Sequence, residues 1–181
     1  NYFFKMSKYQ QKLIDYIEAH PDFIQPTAKK NEVLGFLRQP LQDLCITRPK
    51  ERLHWGIEIP FDKNYVTYVW FVGLNRPGME KQFQTWWSEG GARHLIGKDI
   101  LTTHAVYWTT MLFALGLPLP KQIFAHGWIL NKDMGKMSKS VGDVLSPSDL
   151  VEKLGLDGLR YVLSRDVHLG NDAPFSLDLA A

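Results

Sequence analysis

The residues best suited to chemistry lie in a lysine-rich loop, residues 135–142, with the sequence GKMSKSVG. Lys136 and Lys139 stand three positions apart, Ser138 and Ser140 flank the second lysine, and a glycine lies at each end. Glycine lets the backbone approach a ligand, serine donates hydrogen bonds, and lysine carries a mobile positive charge. In nucleotidyl transfer, negative charge develops on the leaving pyrophosphate, where cations lower the barrier most. Lys136 and Lys139 are therefore candidate catalytic residues.

The same four letters, KMSK, occur earlier at residues 5–8 and provide an internal comparison. This first copy has no flanking glycine and stands at the start of a helical pattern. Two lysines three positions apart are, by themselves, more typical of an exposed loop than of a phosphate site. We therefore predict no catalytic role for the first copy, and the role of the second depends on its surroundings.

Those surroundings predict a strand, a helix and a second strand. Residues 94–96 form a short apolar strand that enters the turn 97–99, and the helix that follows would stop at Gly116. Residues 122–129 form another apolar strand, which leads into the lysine-rich loop. The strands of such a βαβ unit are parallel, and ligands bind beyond their carboxyl ends. A further buried strand is expected at residues 65–71, which are β-branched and aromatic.

Helices are predicted toward both ends of the chain. The apolar spacing within residues 3–20 indicates one helix, and residues 31–39 indicate a second, capped by Asn31. After the loop, Ser146 should cap a helix that Gly155 ends, and a further short helix should follow. The βαβ unit is thus expected between a helical lead-in and a helical tail.

The composition is that of a globular protein. Of the 181 residues 45% are hydrophobic, and no apolar run approaches the roughly 18 residues of a membrane span. We expect no membrane contact and a cytoplasmic location, because no signal sequence is evident and the single cysteine, Cys45, excludes an internal disulfide or a CxxC zinc site. Cys45 is expected in the core. The net charge of +2 is too small to indicate a general nucleic-acid binder.

The loop and its flanks resemble the class I aminoacyl-tRNA synthetases, and among them the methionyl-tRNA synthetases. KMSKS after a strand with His126-Gly127-Trp128 is similar to the second signature of that class. Residues 94–144 resemble the methionyl enzymes as one long phrase, as do NYFFKMSKY, NEVLGFLRQPLQDL and ERLHWGIEIP upstream. Several phrases in the right order are more specific than one five-letter match.

The resemblance implies an α/β fold, the C-terminal half of a Rossmann-type nucleotide-binding fold with a helical lead-in and a helical tail. Residues 1–47 would be the end of a connective insertion, residues 48–145 the second half of the catalytic domain, and residues 146–181 the start of a stem-contact helical region. The implied activity is ATP-dependent: methionine is activated to methionyl-adenylate with Mg²⁺ and is then transferred to tRNA(Met).

The resemblance also assigns residues to ATP. Gly97 and Asp99 would approach the ribose, where a carboxylate accepts hydroxyl hydrogen bonds, although Asp99 is equally suited to cap the helix. His126 and Gly127 would lie beside adenine, or else His126 is a hydrogen-bonded core histidine. The triphosphate would be bound by the five residues of the signature, Lys136, Met137, Ser138, Lys139 and Ser140.

Three residues spaced by four, Ile100, His104 and Trp108, share one helical face and are matched to the methionine pocket of the family. A thioether gains from apolar and aromatic contact, and a histidine N–H could donate a weak hydrogen bond to the sulfur. Without the resemblance, such a stripe is more often plain core. Thr103 and Thr109 replace an aromatic residue and a proline of the family, which favours a wider or wetter pocket.

Two departures from the family concern whole segments. The family's first signature, an HIGH-like sequence, does not occur in these residues, and no anticodon-binding domain follows them. Val72-Gly73 also replaces the expected Asp-Ala. The chain is therefore expected to be an internal section or a truncated product of a methionyl enzyme, and the alternative is an inactive section that only binds nucleotide or another protein.

Overall fold

Helices alternate with short strands in the computed structural model, which describes residues 1–67, 80–137 and 146–175, and the predicted α/β class is confirmed. Several parts of the predictions lie outside these residues: the end of the strand at 68–71, the pair Val72-Gly73, the loop residues 138–142 with Ser138, Lys139 and Ser140, and residues 176–181 of the tail. Within the described ranges, no helix combines the length and the apolar character that a bilayer crossing requires.

The elements are numbered along the chain. The strands are β1 (Phe3–Phe4), β2 (Ile24–Gln25), β3 (Leu44–Cys45), β4 (Thr47–Pro49), β5 (Glu58–Ile59), β6 (Asp62–Thr67), β7 (Arg93–Gly97), β8 (Gln122–His126), β9 (Ile129–Leu130) and β10 (Ala173–Pro174). The α-helices are α1 (Gln10–Ala19), α2 (Thr27–Phe36), α3 (Glu80–Gln82), α4 (Thr109–Leu115) and α5 (Pro147–Asp166). Shorter windings are the 3₁₀ helices Met6–Tyr9 and Lys98–Ile100 and the π-helices Phe83–Glu89 and Thr103–Trp108.

The predicted βαβ unit is confirmed as the centre of the fold. Strands β7 and β8 are parallel and pair from Arg93 opposite Gln122 to Gly97 opposite His126, and β2 adds a parallel strand on the other side of β8. The connecting helix ends at Gly116, whose φ of 64° is the left-handed conformation that glycine adopts readily. Both paired strands therefore end at the same edge of the sheet, with Gly97 beside His126.

One hydrophobic cluster joins the lead-in to this unit. Its members come from α1, β2 and α2 as well as from β7, β8 and the helix between them, so residues before position 47 and residues after it share a core. The division of the chain at residues 47 and 145 remains a prediction. The cluster includes these fully buried side chains: Leu13, Ile17, Ile24, Val106 and Ile123.

Several local predictions need correction. Helix α2 begins at Thr27 rather than after Asn31, because Pro26 provides the extended residue before the first turn and Asn31 lies inside the helix. The first helix begins only at Met6, since Phe3–Phe4 pairs antiparallel with Leu44–Cys45. Cys45 is half-buried rather than a core residue, and its Sγ lies 3.4 Å from the Thr47 carbonyl oxygen.

The predicted strands also differ in extent. Residues 122–129 are two strands, β8 and β9, separated at Gly127 and Trp128. The described part of the aromatic strand, residues 65–67, belongs to β6, which is buried at Val66. It pairs antiparallel with β4 and β5 in a separate small sheet, so it is not a strand of the parallel sheet.

The tail helix follows the prediction closely. The Ser146 side chain caps α5 by accepting a hydrogen bond from Ser148 N at 3.2 Å. At Gly155 the backbone leaves the helical conformation, with φ 71° and ψ 162°, and a second helical segment continues to Asp166. The glycine therefore divides the helix, as the sequence indicates, because a side chain would be strained there.

Candidate active site

The carboxyl edge of β7 and β8 positions the residues predicted to contact ATP. A side chain at Gly97 would meet Asp99 Oδ1 at 2.6 Å, so the glycine lets this carboxylate fold back toward the strand end. Opposite it, His126 is exposed, and its Nδ1 lies 2.7 Å from the Gly127 carbonyl oxygen. Because a carbonyl only accepts, Nδ1 is the protonated nitrogen in that contact. Asp99 and His126 thus lie at one edge, as predicted, and His126 is not a core histidine.

Trp128 lies just after this edge and contacts both the segment predicted to bind phosphate, at Lys136, and the segment predicted to approach the ribose, at Lys98 and Asp99. The ammonium of Lys136 lies 4.3 Å from the centre of its ring, and that of Lys98 lies 4.4 Å from the same centre. Cations at this distance are attracted by the negative face of the indole. The indole Nε1 in turn lies 3.5 Å from Asp99 Oδ1, at the limit of a hydrogen bond. Lys136 is therefore connected to Asp99 through one side chain.

The base of the lysine-rich loop is an ordered turn. Asn131 N donates to Gly135 O at 2.8 Å, and the Asn131 side chain accepts from Gly135 N at 2.7 Å. Lys136 then forms an antiparallel bridge with Leu130, and Met137 is half-buried against the cluster packed on α5. Lys136 thus has a main-chain partner and Met137 a packing contact, while the ATP roles of all five signature residues stay predictions.

The three residues predicted to bind methionine are all half-buried on the helical segment that follows β7. His104 Nδ1 lies 3.2 Å from the Ile100 carbonyl oxygen, so Nδ1 carries the proton in this contact. A neutral imidazole has only one N–H, so a hydrogen bond from His104 to a thioether would require the imidazolium form. The segment from Thr103 to Trp108 is a π-helix, a rare winding that is frequent at functional sites and that the residue spacing does not reveal.

Thr109, one of the two threonines predicted to favour a wider or wetter pocket, keeps its hydroxyl within the helix. It is fully buried, and its Oγ1 donates to the His104 carbonyl oxygen at 3.1 Å. That contact spans five residues, as the π-helical winding allows, and satisfies the hydroxyl within the helix.

His94, on β7, is a candidate site residue that the sequence analysis missed. Its ring centre lies 5.4 Å from that of Trp87 and 5.8 Å from that of His104, and the two histidine rings meet edge to face. Burial, and secondarily the charge of His104, lower the pKa of His94 below its usual value. Its Nδ1 and the Nε1 of Trp108 are buried without a hydrogen-bond partner among the described residues. Because such orphaned groups are costly, both atoms are suited to face a ligand or ordered water.

Gly127 is required by the fold, whatever its role toward adenine. A side chain there would collide with the main-chain carbonyl of Asn171 and would lie 2.6 Å from Asp172 N. The Asp172 carboxylate also contacts the edge itself, since Oδ2 lies 2.5 Å from Lys98 Nζ and Oδ1 accepts from Trp128 N at 2.9 Å. Asp172 was missed because nothing in its local sequence signals a partner 74 positions away.

Two further observations define the limits of the site. A cavity of about 460 Å³ lies elsewhere, between the end of α2, the loop at 39–44 and Tyr107, and contains none of the candidate residues. Within residues 1–67, 80–137 and 146–175, no three His, Cys, Asp or Glu side chains are grouped closely enough to hold a metal ion.

Comparison with known proteins identifies relatives along the whole chain. A family model described as tRNA synthetases class I (M) matches residues 1–181. The methionine–tRNA ligase of Clostridium perfringens is 50% identical over 98% of this chain and 28% of its own length. That of Deinococcus radiodurans is 47% identical over 97% of this chain and 26% of its own length. The chain thus spans little more than a quarter of these relatives.

Solved structures agree with the sequence relatives. The methionyl-tRNA synthetase of Mycobacterium tuberculosis bound by methionyl-adenylate has a TM-score of 0.85 and 40% identity, covering 99% of this chain and 36% of that one. The apo form of the same organism's enzyme has a TM-score of 0.81 and 36% identity, with 98% and 34% covered. The parallel sheet and its helices therefore match the Rossmann-type catalytic fold of class I synthetases. With a family model that covers all 181 residues, the chain belongs to the class I (M) tRNA synthetases.

Proposed function

We propose that this chain contributes the lysine-rich half of a methionine–tRNA ligase site, which activates methionine with ATP and transfers it to tRNA(Met). One observation carries the proposal. The Lys136 ammonium lies on the Trp128 ring, the Trp128 indole reaches Asp99, and Asp99 directly precedes Ile100. This series of contacts joins the phosphate, ribose and methionine segments, which would otherwise be separate motifs.

The proposed reaction needs no protein nucleophile. A carboxylate oxygen of methionine attacks the α-phosphorus of ATP, the bond to the β-phosphate oxygen breaks, and pyrophosphate leaves with the released electron pair. The protein's task is to align the reactants and to stabilise the charge that develops on pyrophosphate. Lys136 and Lys139 are suited to this, and Met137, Ser138 and Ser140 would place main-chain and hydroxyl donors beside the same phosphates. Mg²⁺ would enter as part of the substrate, bound to phosphate oxygens and water.

The remaining candidate residues would bind the parts of the substrates that do not react: the ribose, the adenine and the methionine side chain. Asp99 is exposed at the strand edge, where its carboxylate is free to accept from ribose hydroxyls, and Gly97 gives it room. We assign His126 and Gly127 to the adenine side of the same edge. Ile100, His104 and Trp108 would enclose the methionine side chain, with apolar and aromatic surface that suits a thioether.

The domain assignment is part of the same proposal. Residues 1–47 would be the end of a connective insertion, residues 48–145 the second catalytic half, and residues 146–181 the start of the region that contacts the tRNA stem. The cytoplasm is the expected site of action. The relatives' greater length leaves room for further substrate contacts outside these residues.

The decisive experiment is methionine-dependent exchange of labelled pyrophosphate into ATP, measured on the purified chain. Exchange that requires methionine and is lost in Lys139→Ala would support the proposed ligase half-reaction. ATP binding that depends on Lys139 without any exchange would instead indicate a nucleotide-binding section that lacks the chemistry. If ATP does not bind at all, the assignment of the lysine-rich loop to phosphate is wrong.

A further inference from the structure

Asp172 lies in a segment that returns from the tail helix to the carboxyl edge of β7 and β8, which is called the nucleotide edge below because the proposed function places ATP there. Strand β10 runs parallel to β9, with Ala173 N donating to Trp128 O at 3.0 Å and Phe175 N donating to Leu130 O at 2.9 Å. Leu130 is also the residue that pairs with Lys136. The short strand β9 is therefore held by the returning segment and by the base of the lysine-rich loop.

The Asp172 carboxylate uses each oxygen for a different part of this edge. Oδ2 pairs with the Lys98 ammonium at 2.5 Å, and Oδ1 accepts from the main-chain N–H of Trp128 at 2.9 Å. The two side chains of the ion pair are only 25% and 27% exposed, so solvent screens the pair less than it screens a surface pair. The hydrogen bond from Lys98, followed by that from Trp128, lowers the pKa of Asp172.

These contacts meet at Trp128, whose ring is also in contact with the Lys136 ammonium. The Lys98 and Lys136 ammonium groups lie 4.4 and 4.3 Å from the same Trp128 ring centre, and two like charges so placed repel each other. The carboxylate of Asp172 offsets this repulsion on the Lys98 side. Without it, Lys98 would gain the freedom to leave the ring and the edge would lose an ordered charge.

The returning segment fits too closely to shift. Main-chain atoms of Asn171 and Asp172 fill the space where Gly127 lacks a side chain, and Gly170, with φ 87°, passes against the ring of Pro26. Asp172 therefore reaches the edge from a fixed main-chain position rather than from a flexible loop.

We propose that Asp172 is a positioning residue for the nucleotide edge: it holds the Lys98 ammonium and the Trp128 main chain where the polyphosphate of ATP is received. This deepens the proposed function and depends on it. The chemical role of Asp172 is indirect, since it acts through Lys98 and Trp128 and needs no contact with the substrate.

Asp172→Asn is the critical variant, because asparagine keeps an oxygen that can accept from Trp128 N but removes the charge that pairs with Lys98. Side-chain proton signals of Lys98 and Lys136 report directly on the Trp128 ring, whose current shifts nearby methylene protons. In Asp172→Asn we expect the Lys98 signals to lose this shift, the Lys136 signals to keep it, and ATP affinity to fall by about fivefold or more. Asp172→Glu should restore part of both effects.

Asp166→Asn is the matched control, because Asp166 pairs with Arg165 on the same part of the chain and its loss should leave ATP affinity unchanged. The proposal is supported if Asp172→Asn, but not Asp166→Asn, loses the ring-current shift of the Lys98 signals and also binds ATP more weakly. Persisting Lys98 shifts, or unaltered ATP affinity in a variant whose Lys98 has moved, would overturn it. If the wild-type chain binds no ATP, the proposed function fails, and the Lys98 signals still decide whether Asp172 positions this lysine.

Discussion

The two copies of Lys-Met-Ser-Lys in this chain have the same letters, but the described residues of the second copy, Lys136 and Met137, differ in structure from Lys5 and Met6. In the first, Met6 is 3% exposed in the main core, Ser7 bonds to Asp43, and the residues from Met6 onward form a 3₁₀ helix. In the second, it is the lysine that makes the specific contacts: Lys136 pairs with Leu130 in an antiparallel bridge, and its ammonium lies over the Trp128 ring. The methionine therefore anchors the first copy, whereas the contact of Lys136 with Trp128 distinguishes the described part of the second.

The largest effect expected from this comparison is on stability. Met6→Ala should lower the free energy of unfolding by about 2–4 kcal/mol, because it leaves a cavity in the main core. Met137→Ala should cost about 1 kcal/mol, since Met137 is only half-buried against the smaller cluster on α5. Urea unfolding of both variants measures the two values. Equal losses would show that methionine has the same anchoring role in the two copies.

The lysines should show the opposite ranking in ATP binding. Lys136→Ala is expected to weaken ATP binding by about tenfold, because one positioned cation is removed from the proposed phosphate site. Lys5→Ala is the matched control in the first copy. The ATP affinity of this variant should equal that of the wild type, because Lys5 is exposed and is not a candidate site residue. Isothermal titration with Mg·ATP measures both. A loss of affinity in Lys5→Ala would break the distinction between the copies.

The parallel sheet that precedes the second copy contains a half-buried imidazole, that of His94, which predicts a pH effect. The pKa of His94 is lowered in the folded state, so the unfolded chain binds more protons at mildly acidic pH. Its contribution is therefore complete above the ordinary histidine pKa of about 6.5 and is lost as pH falls toward the folded value. The free energy of unfolding should decrease between about pH 7 and 5, and His94→Gln should flatten part of that decrease. An unaltered slope in the variant would contradict the assignment.

Much of the fold was predictable because it depends on local patterns. Gly116, Ser146 and Gly155 end, cap and divide helices as their conformational preferences dictate, and the apolar strands at 94–96 and 122–126 pair as a βαβ unit should. Local patterns failed where a distant partner decides. The break after β8 is an example, because the chain there meets a segment more than forty residues later.

For the candidate site, the placement of some residues can be compared with the prediction, while their roles stay predictions. Asp99 was proposed from the family resemblance and Lys136 from the lysine-rich loop, and the structure brings both to Trp128. The π-helical winding and the contacts of His94 leave no signal in residue spacing, because the first depends on hydrogen-bond register and the second on rings that meet only in the folded chain. Asp172 belongs to this second group.

The smallest effect expected concerns the serine of the first copy. Ser7 Oγ donates to Asp43 Oδ1 at 2.6 Å in an exposed position, so Ser7→Ala should cost only about 0.5–1 kcal/mol of unfolding free energy. Asp43→Asn retains an acceptor for the hydroxyl and should cost less. ATP affinity should not change in either variant, because the bond joins the 3₁₀ turn to the loop after α2 and neither residue is a candidate site residue. A weaker ATP affinity in Ser7→Ala, with stability close to that of the wild type, would contradict the assignment of ATP binding to the second copy alone.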